Sequence, residues 1–244
     1  REFGHFLPFP KTASDVKNLK SQIKNCGAVL VEPIQARGGI NVPPPEFLPT
    51  LRACCDQSGA LLILDEIYTG FGRTGKWFAC DETGTMPDVI CLGKGLTGGF
   101  PLSACVGRAD IIDSAWPPSR GEAIHTSTFQ GNPVGCAMAL AQISEIRNKK
   151  LPQRSARLGK FLLDLLHAKL PANEVETRGR GLMVGIELKR GSDRTFAVIK
   201  EMLHRGFILL PEGEQGNVIS FTPPLTITRA ELTSAVRALG EILS

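Results

Sequence analysis

The chain has 244 residues, 42% hydrophobic and 21% charged, with a formal net charge of +4. That is globular composition, with length for one large α/β domain or two smaller ones. Basic residues are scattered apart from Lys149-Lys150 and aromatics are few, which argues against a nucleic-acid surface.

No apolar run approaches the ~20 residues of a membrane span. Residues 1–12 lack the charged-then-apolar order of a secretory leader, so the chain reads as cytoplasmic. Seven cysteines fall in no CxxC or Cys/His ligand spacing. They are expected to be small core hydrophobes in a reducing compartment, Cys91 and Cys105 inside apolar strands among them. His5, His125, His167 and His204 form no metal-ligand pair; of these, only His125 lies in a polar loop.

In chain order, residues 1–12 are an extended lead-in. Ser14 is the predicted N-cap of a helix carrying Val16, Leu19 and Ile23 at helical spacing, with a stop at Gly27. The run 28–34 predicts a strand buried on both faces, with Glu32 in it. A Gly/Pro-rich loop leads through Pro43, Pro44 and Pro45 into a helix stopped by Gly59. The run 61–67 is the next strand, completing a βαβ unit and arguing for a parallel sheet. Runs 88–94 and 102–107 follow as strands joined by a turn too short for a crossover, hence antiparallel neighbours in a mixed sheet.

A polar loop ending in Asn132-Pro133 opens a long helix rich in small residues, and a break at 149–152 precedes another to about Leu170. Beyond it a strand at 182–188, a helix from Thr195 to His204, strands FILL and NVISF, and a last helix from about Arg229 predict a small α+β layer. The fold class is thus α/β, a mostly parallel mixed sheet with flanking helices (1–150), plus a C-terminal α+β domain (151–244).

Two motifs fail on context. Gly70, Gly72 and Gly75 satisfy GxGxxG, and Gly75-Lys76 nearly completes a P-loop. No amphipathic helix follows to meet a pyrophosphate, and Trp77 stands where a P-loop needs Ser or Thr. A glycine-rich surface turn is the expectation instead.

Asp65 and Lys94 carry more chemistry. Ligands of open α/β sheets bind outside the carboxyl ends of the strands. An acid at such an end is partly buried and needs a cationic partner. Gly93 and Gly95 flank Lys94, removing bulk where a ligand would approach. A lysine in apolar surroundings is a nucleophile suited to Schiff bases. On residues alone, an Asp–Lys ion pair at the sheet edge is an equal alternative.

EPIQ (32–35) with GG and PPP after it, LRxxCDxxGxLLIxDE, TGFGRTGxxFA, PDxxxLGKGLTGGFPLSA, STFxGNPxxCAxA, RGRGLMVGIEL and NVISFTPPL run in order through the chain. Together they resemble the class III (subgroup II) aminotransferases, fold-type-I enzymes that use pyridoxal 5′-phosphate (PLP). The resemblance implies a homodimer acting on an amino donor and a 2-oxo acid. It implies Lys94 as the lysine that binds PLP and moves the substrate proton, and Asp65 as partner of the pyridinium nitrogen. Ile67, two residues along the strand, would lie on the ring face, and Tyr68 would hydrogen-bond the ring oxygen. Thr128 would reach the cofactor phosphate of the neighbouring subunit, and Arg178 would clamp a substrate carboxylate.

Arg37 stands where relatives acting on ω-amino acids carry a glutamate, so it is expected to repel Arg178 or to join it in favouring an anionic substrate. The family's phosphate-cradling N-terminal segment does not precede Arg1, so the chain reads as N-terminally truncated. Other PLP chemistry (aminomutase, decarboxylase, racemase) and a catalytically silent interaction domain remain open on this sequence.

Overall fold

A computed structural model describes residues 4–23, 25–118, 121, 126–189 and 191–243. The first helix, α1 (Ala13–Gln22), is capped by Thr12 and not by Ser14. Thr12 Oγ1 accepts the Asp15 amide at 3.2 Å while Asp15 Oδ2 accepts the Thr12 amide at 2.8 Å, which satisfies two backbone donors reciprocally. Val16, Leu19 and Ile23 are buried, as their spacing requires.

Strands β1 (Ala28–Val31) and β2 (Leu61–Asp65) flank α2 (Phe47–Ser58) and pair in parallel from Ala28↔Leu61 to Val31↔Leu64. Gly59 ends α2 in the left-handed region at φ 72°, a conformation glycine adopts without steric cost. Both helices cover the same sheet face, burying Leu62 and Leu64 against Phe47, Leu51 and Cys55. β1 is therefore not buried on both faces: Leu30 on the other side is 67% exposed. β3 (Val89–Leu92) adds in parallel to β2, and β4 (Ala104–Gly107) runs antiparallel to β3, giving the expected mixed sheet in the order β1-β2-β3-β4.

A short helix α3 (Ala109–Ala115) follows, which residue spacing did not suggest. Helix α4 (Pro133–Asn148) is capped by Asn132, whose side chain accepts the Val134 and Gly135 amides at 2.9 and 3.2 Å. After α5 (Leu151–Lys169) comes a second, all-antiparallel sheet in the order β5-β6-β8-β7. Its strands are β5 (Val175–Arg180), β6 (Met183–Leu188), β7 (Leu210–Glu212) and β8 (Val218–Phe221). β5 was unforeseen because two of its six residues are arginine and one is glycine, poor strand formers placed by pairing with β6. β7 sits at 210–212, beyond most of the FILL run. Helices α5, α6 (Ser192–His204) and α7 (Arg229–Leu243) close a core around Leu162, Leu166, Ile186, Met202, Ile219 and Leu239.

The loop 70–75 is not a surface turn. Two of its glycines lie against α5 and the segment after β8: a Cβ on Gly72 would meet Pro152 and Leu225, and one on Gly75 would meet Ala156. Arg73 reaches between them and donates to the carbonyls of Leu182 and Pro223 at 2.9 and 2.6 Å. The Arg73 carbonyl accepts the Leu182 amide at 3.0 Å and the Ser155 hydroxyl at 2.9 Å. Gly159 of α5 packs directly on the Gly181 backbone. The GxGxxG spacing thus reflects close backbone approach, one of the two physical reasons for such glycines, with protein in place of nucleotide.

Two stability predictions follow from these contacts. A methyl at Gly159 would overlap the Gly181 carbonyl oxygen, so Gly159→Ala should cost about 2 kcal/mol or more in denaturant melts. Asp88, nearly buried, accepts the Leu62 amide at 2.8 Å and guanidinium groups of Arg52 and Arg108 at 2.7 and 3.0 Å. Burial pushes its carboxyl up, but these donors outweigh burial and hold it below its ordinary value. A depressed folded pKa contributes stability above the unfolded value that is lost as pH falls through the folded one. Asp88→Asn should therefore cost about 3 kcal/mol at neutral pH, with the penalty shrinking below about pH 4.

Candidate active site

Three parallel strands deliver charge to one edge. Glu32 follows β1, Asp65 ends β2, and Lys94 lies two residues past the end of β3. The adjacent acids Asp65, last residue of β2, and Glu66, first beyond it, point apart. Glu66 is fully buried and accepts the Ala79 and Cys80 amides, each at 2.9 Å, and the Thr69 hydroxyl, stapling the loop that follows. Asp65 faces the other way, partly open, and its Oδ1 accepts the Ile67 amide at 2.9 Å.

Lys94 opens one turn of 3₁₀ helix with φ 38°. A non-glycine residue there carries strain that the surroundings must hold, a feature concentrated at functional positions. Its Nζ stands 4.6 Å from the centroid of the Tyr68 ring. Among the described residues neither Lys94 nor Asp65 has an ion-pair partner, so the simple Asp–Lys bridge is absent. Gly93 and Gly95 do make room, but for the chain itself: Cβ atoms there would lie 3.3 Å from Ile67 Cγ2 and 3.1 Å from Phe71 Cβ.

Ile67 is not on the strand, since β2 ends at Asp65; it occupies the turn that follows, and the two-residue alternation does not apply. That turn nevertheless sets its side chain beside Gly93, next to Lys94. The Tyr68 hydroxyl lies 3.5 Å from Thr222 Oγ1, bringing the second sheet's edge to the site. Thr128 is exposed in a turn before α4, and among the described residues no side-chain bond joins it to the others. His125 lies outside the described residues.

The two arginines differ from expectation. Arg178 does not present a free fork: Nη1 is 2.6 Å from Glu187, Nη2 donates to the Gly39 carbonyl at 2.7 Å, and Nε donates to the Gly39 and Ile40 carbonyls at 3.1 and 3.2 Å. It pins the loop after β1, where Ile40 is held at φ 53°. Arg37 neither repels nor joins it, because it has its own acid: its Nη1 is 3.1 Å from Glu212, with the arginine side chain 75% exposed and the glutamate 1%. Each guanidinium is neutralised separately.

Glu212 is the site residue that sequence reasoning missed; its one signal was an acid one proline beyond the apolar run 207–210. Burial pushes its carboxyl up, while Arg37 and Lys94 oppose that shift. Burial likewise pushes Glu32 up, against the hydrogen bond from the Ala36 amide, with Asp65, Lys94 and Glu212 acting on it through space. Lys94 therefore stands among acids on all three neighbouring segments. Among the described residues no cluster of His, Cys, Asp and Glu is arranged to hold a metal.

A carboxyl raised in the folded state stabilises below its unfolded pKa, and that stability is lost as pH rises through the folded one. Removing Arg37 leaves burial of Glu212 less opposed. Arg37→Ala should thus lower the melting temperature more at pH 8 than at pH 5, and Glu212→Gln in the same background should abolish the difference.

The profile of the class-III aminotransferases matches residues 10–243. The chain is 38% identical to putrescine aminotransferase of Pectobacterium atrosepticum, covering 100% of itself and 54% of that protein. It is 40% identical to ornithine aminotransferase of a Geobacillus species, covering 100% of itself and 60% of the relative. Among solved structures, ornithine aminotransferase of Toxoplasma gondii superposes with a TM-score of 0.86 at 37% identity, covering 99% of this chain and 57% of that one. A PLP-bound amine transaminase from an uncultivated Pseudomonas species gives 0.85 at 34%, covering 95% and 56%. The chain spans a little over half the length of these relatives. With strand edge, lysine turn and profile in agreement, this chain belongs to the class III aminotransferases, a PLP-dependent family.

Proposed function

We propose that this chain is part of a PLP-dependent aminotransferase that moves an amino group from an amino acid or amine donor to a 2-oxo acid. The observation that carries the reading is the pair of unsatisfied charges: a partly buried acid without a cation and an amine without an acid, on neighbouring strand ends. Burial makes the acid costly alone, while Lys94 is exposed and open to a ligand, and a pyridinium aldehyde would engage both. The residues present therefore fit the cofactor. PLP, when bound, supplies an electron sink for charge developing at the substrate α-carbon.

The remaining work falls to the chain. Asp65 keeps the ring nitrogen protonated, its orientation fixed by the Ile67 amide. Ile67 would lie against the ring face, and the Tyr68 hydroxyl would hydrogen-bond the ring's 3-oxygen. Lys94 would hold the aldehyde end of the cofactor and, with its amine free, would carry the proton at the substrate α-carbon. Lys94 acts through space on Glu32 and Glu212, and its Nζ stands over the Tyr68 ring. Arg37, exposed and held by one contact, is free to turn toward a carboxylate of the oxo acid. Arg178 can do so only by releasing Glu187, so its first duty is to hold the 38–40 loop. Thr128, exposed, serves the phosphate of a second subunit in a cytoplasmic homodimer. The lobes 1–150 and 151–244 meet across this site.

Borohydride reduction in the presence of PLP should fix one cofactor on Lys94, identified by peptide mass, and Lys94→Ala should take up none. Asp65→Asn should weaken PLP binding tenfold to about a hundredfold, the range of a lost charge-assisted bond. A donor amine alone should convert the cofactor to its amine form. Label on another lysine, or no conversion, would sink the assignment.

A further inference from the structure

The described cysteines are all free thiols, and they divide by environment. Cys54, Cys55 and Cys80 are buried; burial pushes Cys55 up to about 11 and Cys80 up to about 12, so they are poor nucleophiles. The expectation of core cysteines fails at the β3–β4 ribbon, where Cys105 is exposed and Cys91 only partly buried. The reason is the sidedness of the sheet: Cys91 is in register with Asp65, on the side opposite the α1/α2 core.

Cys91 and Cys105 are direct partners in the antiparallel register. The Cys91 carbonyl accepts the Glu66 amide at 3.0 Å, so the polar backbone groups of Cys91 point to the β2 side. The Cys91↔Cys105 pair is therefore of the non-hydrogen-bonded kind, in which Cα atoms approach to about 4.5 Å and side chains sit closest. That spacing falls inside the range a disulfide spans, about 4.4–6.8 Å between Cα atoms.

We propose that Cys91 and Cys105 form a vicinal dithiol that closes to an intrachain disulfide on exposure to a small disulfide oxidant such as oxidised glutathione. Cys105, the accessible sulfur, attacks as thiolate and forms a mixed disulfide, releasing one glutathione thiolate. Cys91 loses its proton and attacks the Cys105 sulfur, forming the Cys91–Cys105 bond and expelling the second glutathione. Two protons and two electrons leave the protein pair, and the oxidant becomes two thiols. The ring so closed contains residues 92–104, including Lys94 and its strained turn. The oxidised form thus ties the lysine turn to the sheet on both sides. Dithiol arsenic chemistry follows from the same geometry: phenylarsine oxide bridges two thiols and releases water.

The test uses the folded wild-type chain and does not depend on cofactor uptake. After incubation with oxidised glutathione and alkylation of remaining thiols, non-reducing digestion should yield one cross-linked pair, two hydrogens lighter than its components. Fragment ions should place the bond on Cys91 and not on Cys80, which shares its tryptic peptide. Dithiothreitol should reverse it. Cys91→Ser should instead accumulate glutathione on Cys105, and either serine variant should lose stoichiometric phenylarsine oxide binding. The proposal is overturned if the wild-type chain carries only the mixed disulfide at Cys105, or if Cys91 and Cys105 are recovered separately alkylated. It is equally overturned if the cross-link appears only after unfolding.

Discussion

Everything at the site depends on three strands running the same way. Parallel pairing of β1, β2 and β3 carries their carboxyl ends to one edge, and the residues just past those ends are Glu32, Asp65 and, two positions on, Lys94. The sheet fixes how close opposite charges come without letting them touch. An Asp65–Lys94 bridge would have satisfied both groups and left no chemistry. The left-handed turn at Lys94 and the stacked ring of Tyr68 hold the amine elsewhere, and the Ile67 amide holds the carboxylate in place. Local strain and an unpaired acid are destabilising, and the buried rows of Leu62, Leu64 and Leu92 offset them.

A second constraint joins the two sheets. Arg73 reaches into the antiparallel layer, while a Cβ on Gly159 of α5 would strike the Gly181 backbone and one on Gly181 the 73–75 backbone, so only glycine fits at either. This contact brings Thr222 to Tyr68 and Glu212 to Arg37, so the second sheet supplies one wall of the site. Arg178 works from the same side, binding the carbonyls of the loop after β1. The arginines that sequence reasoning placed on substrate are first of all the ties between the two layers.

Much of this was readable beforehand. Apolar runs ending in charge located β1, β2 and β3; glycine, proline and asparagine marked the ends of α2 and the start of α4; and the lack of a helix after Gly75 ruled out a nucleotide loop. The misses share one cause. β5 forms against its own propensity because β6 supplies the pairing, and Thr12 outcompetes Ser14 as a cap because Asp15 completes its box. Gly93 and Gly95 face Ile67 and Phe71, which a linear reading cannot know. Leu30 and Cys105 were assigned to a core that covers only one face of their sheet.

By itself, the sequence determined the local terms: which segments are strands and helices, where they stop, and that an acid and a lysine end neighbouring strands. These follow from periodicity, backbone preference and side-chain type, all properties of a residue and its near neighbours in the chain. Only the tertiary structure decided which charges meet. Glu212 lies 175 positions from Arg37, so that partnership has no signature within any window of sequence, and Glu187 meets Arg178, nine positions away, only through the register in which β5 and β6 pair. Coulomb energy and desolvation depend on distance and burial in space, and those exist only once the two sheets have packed.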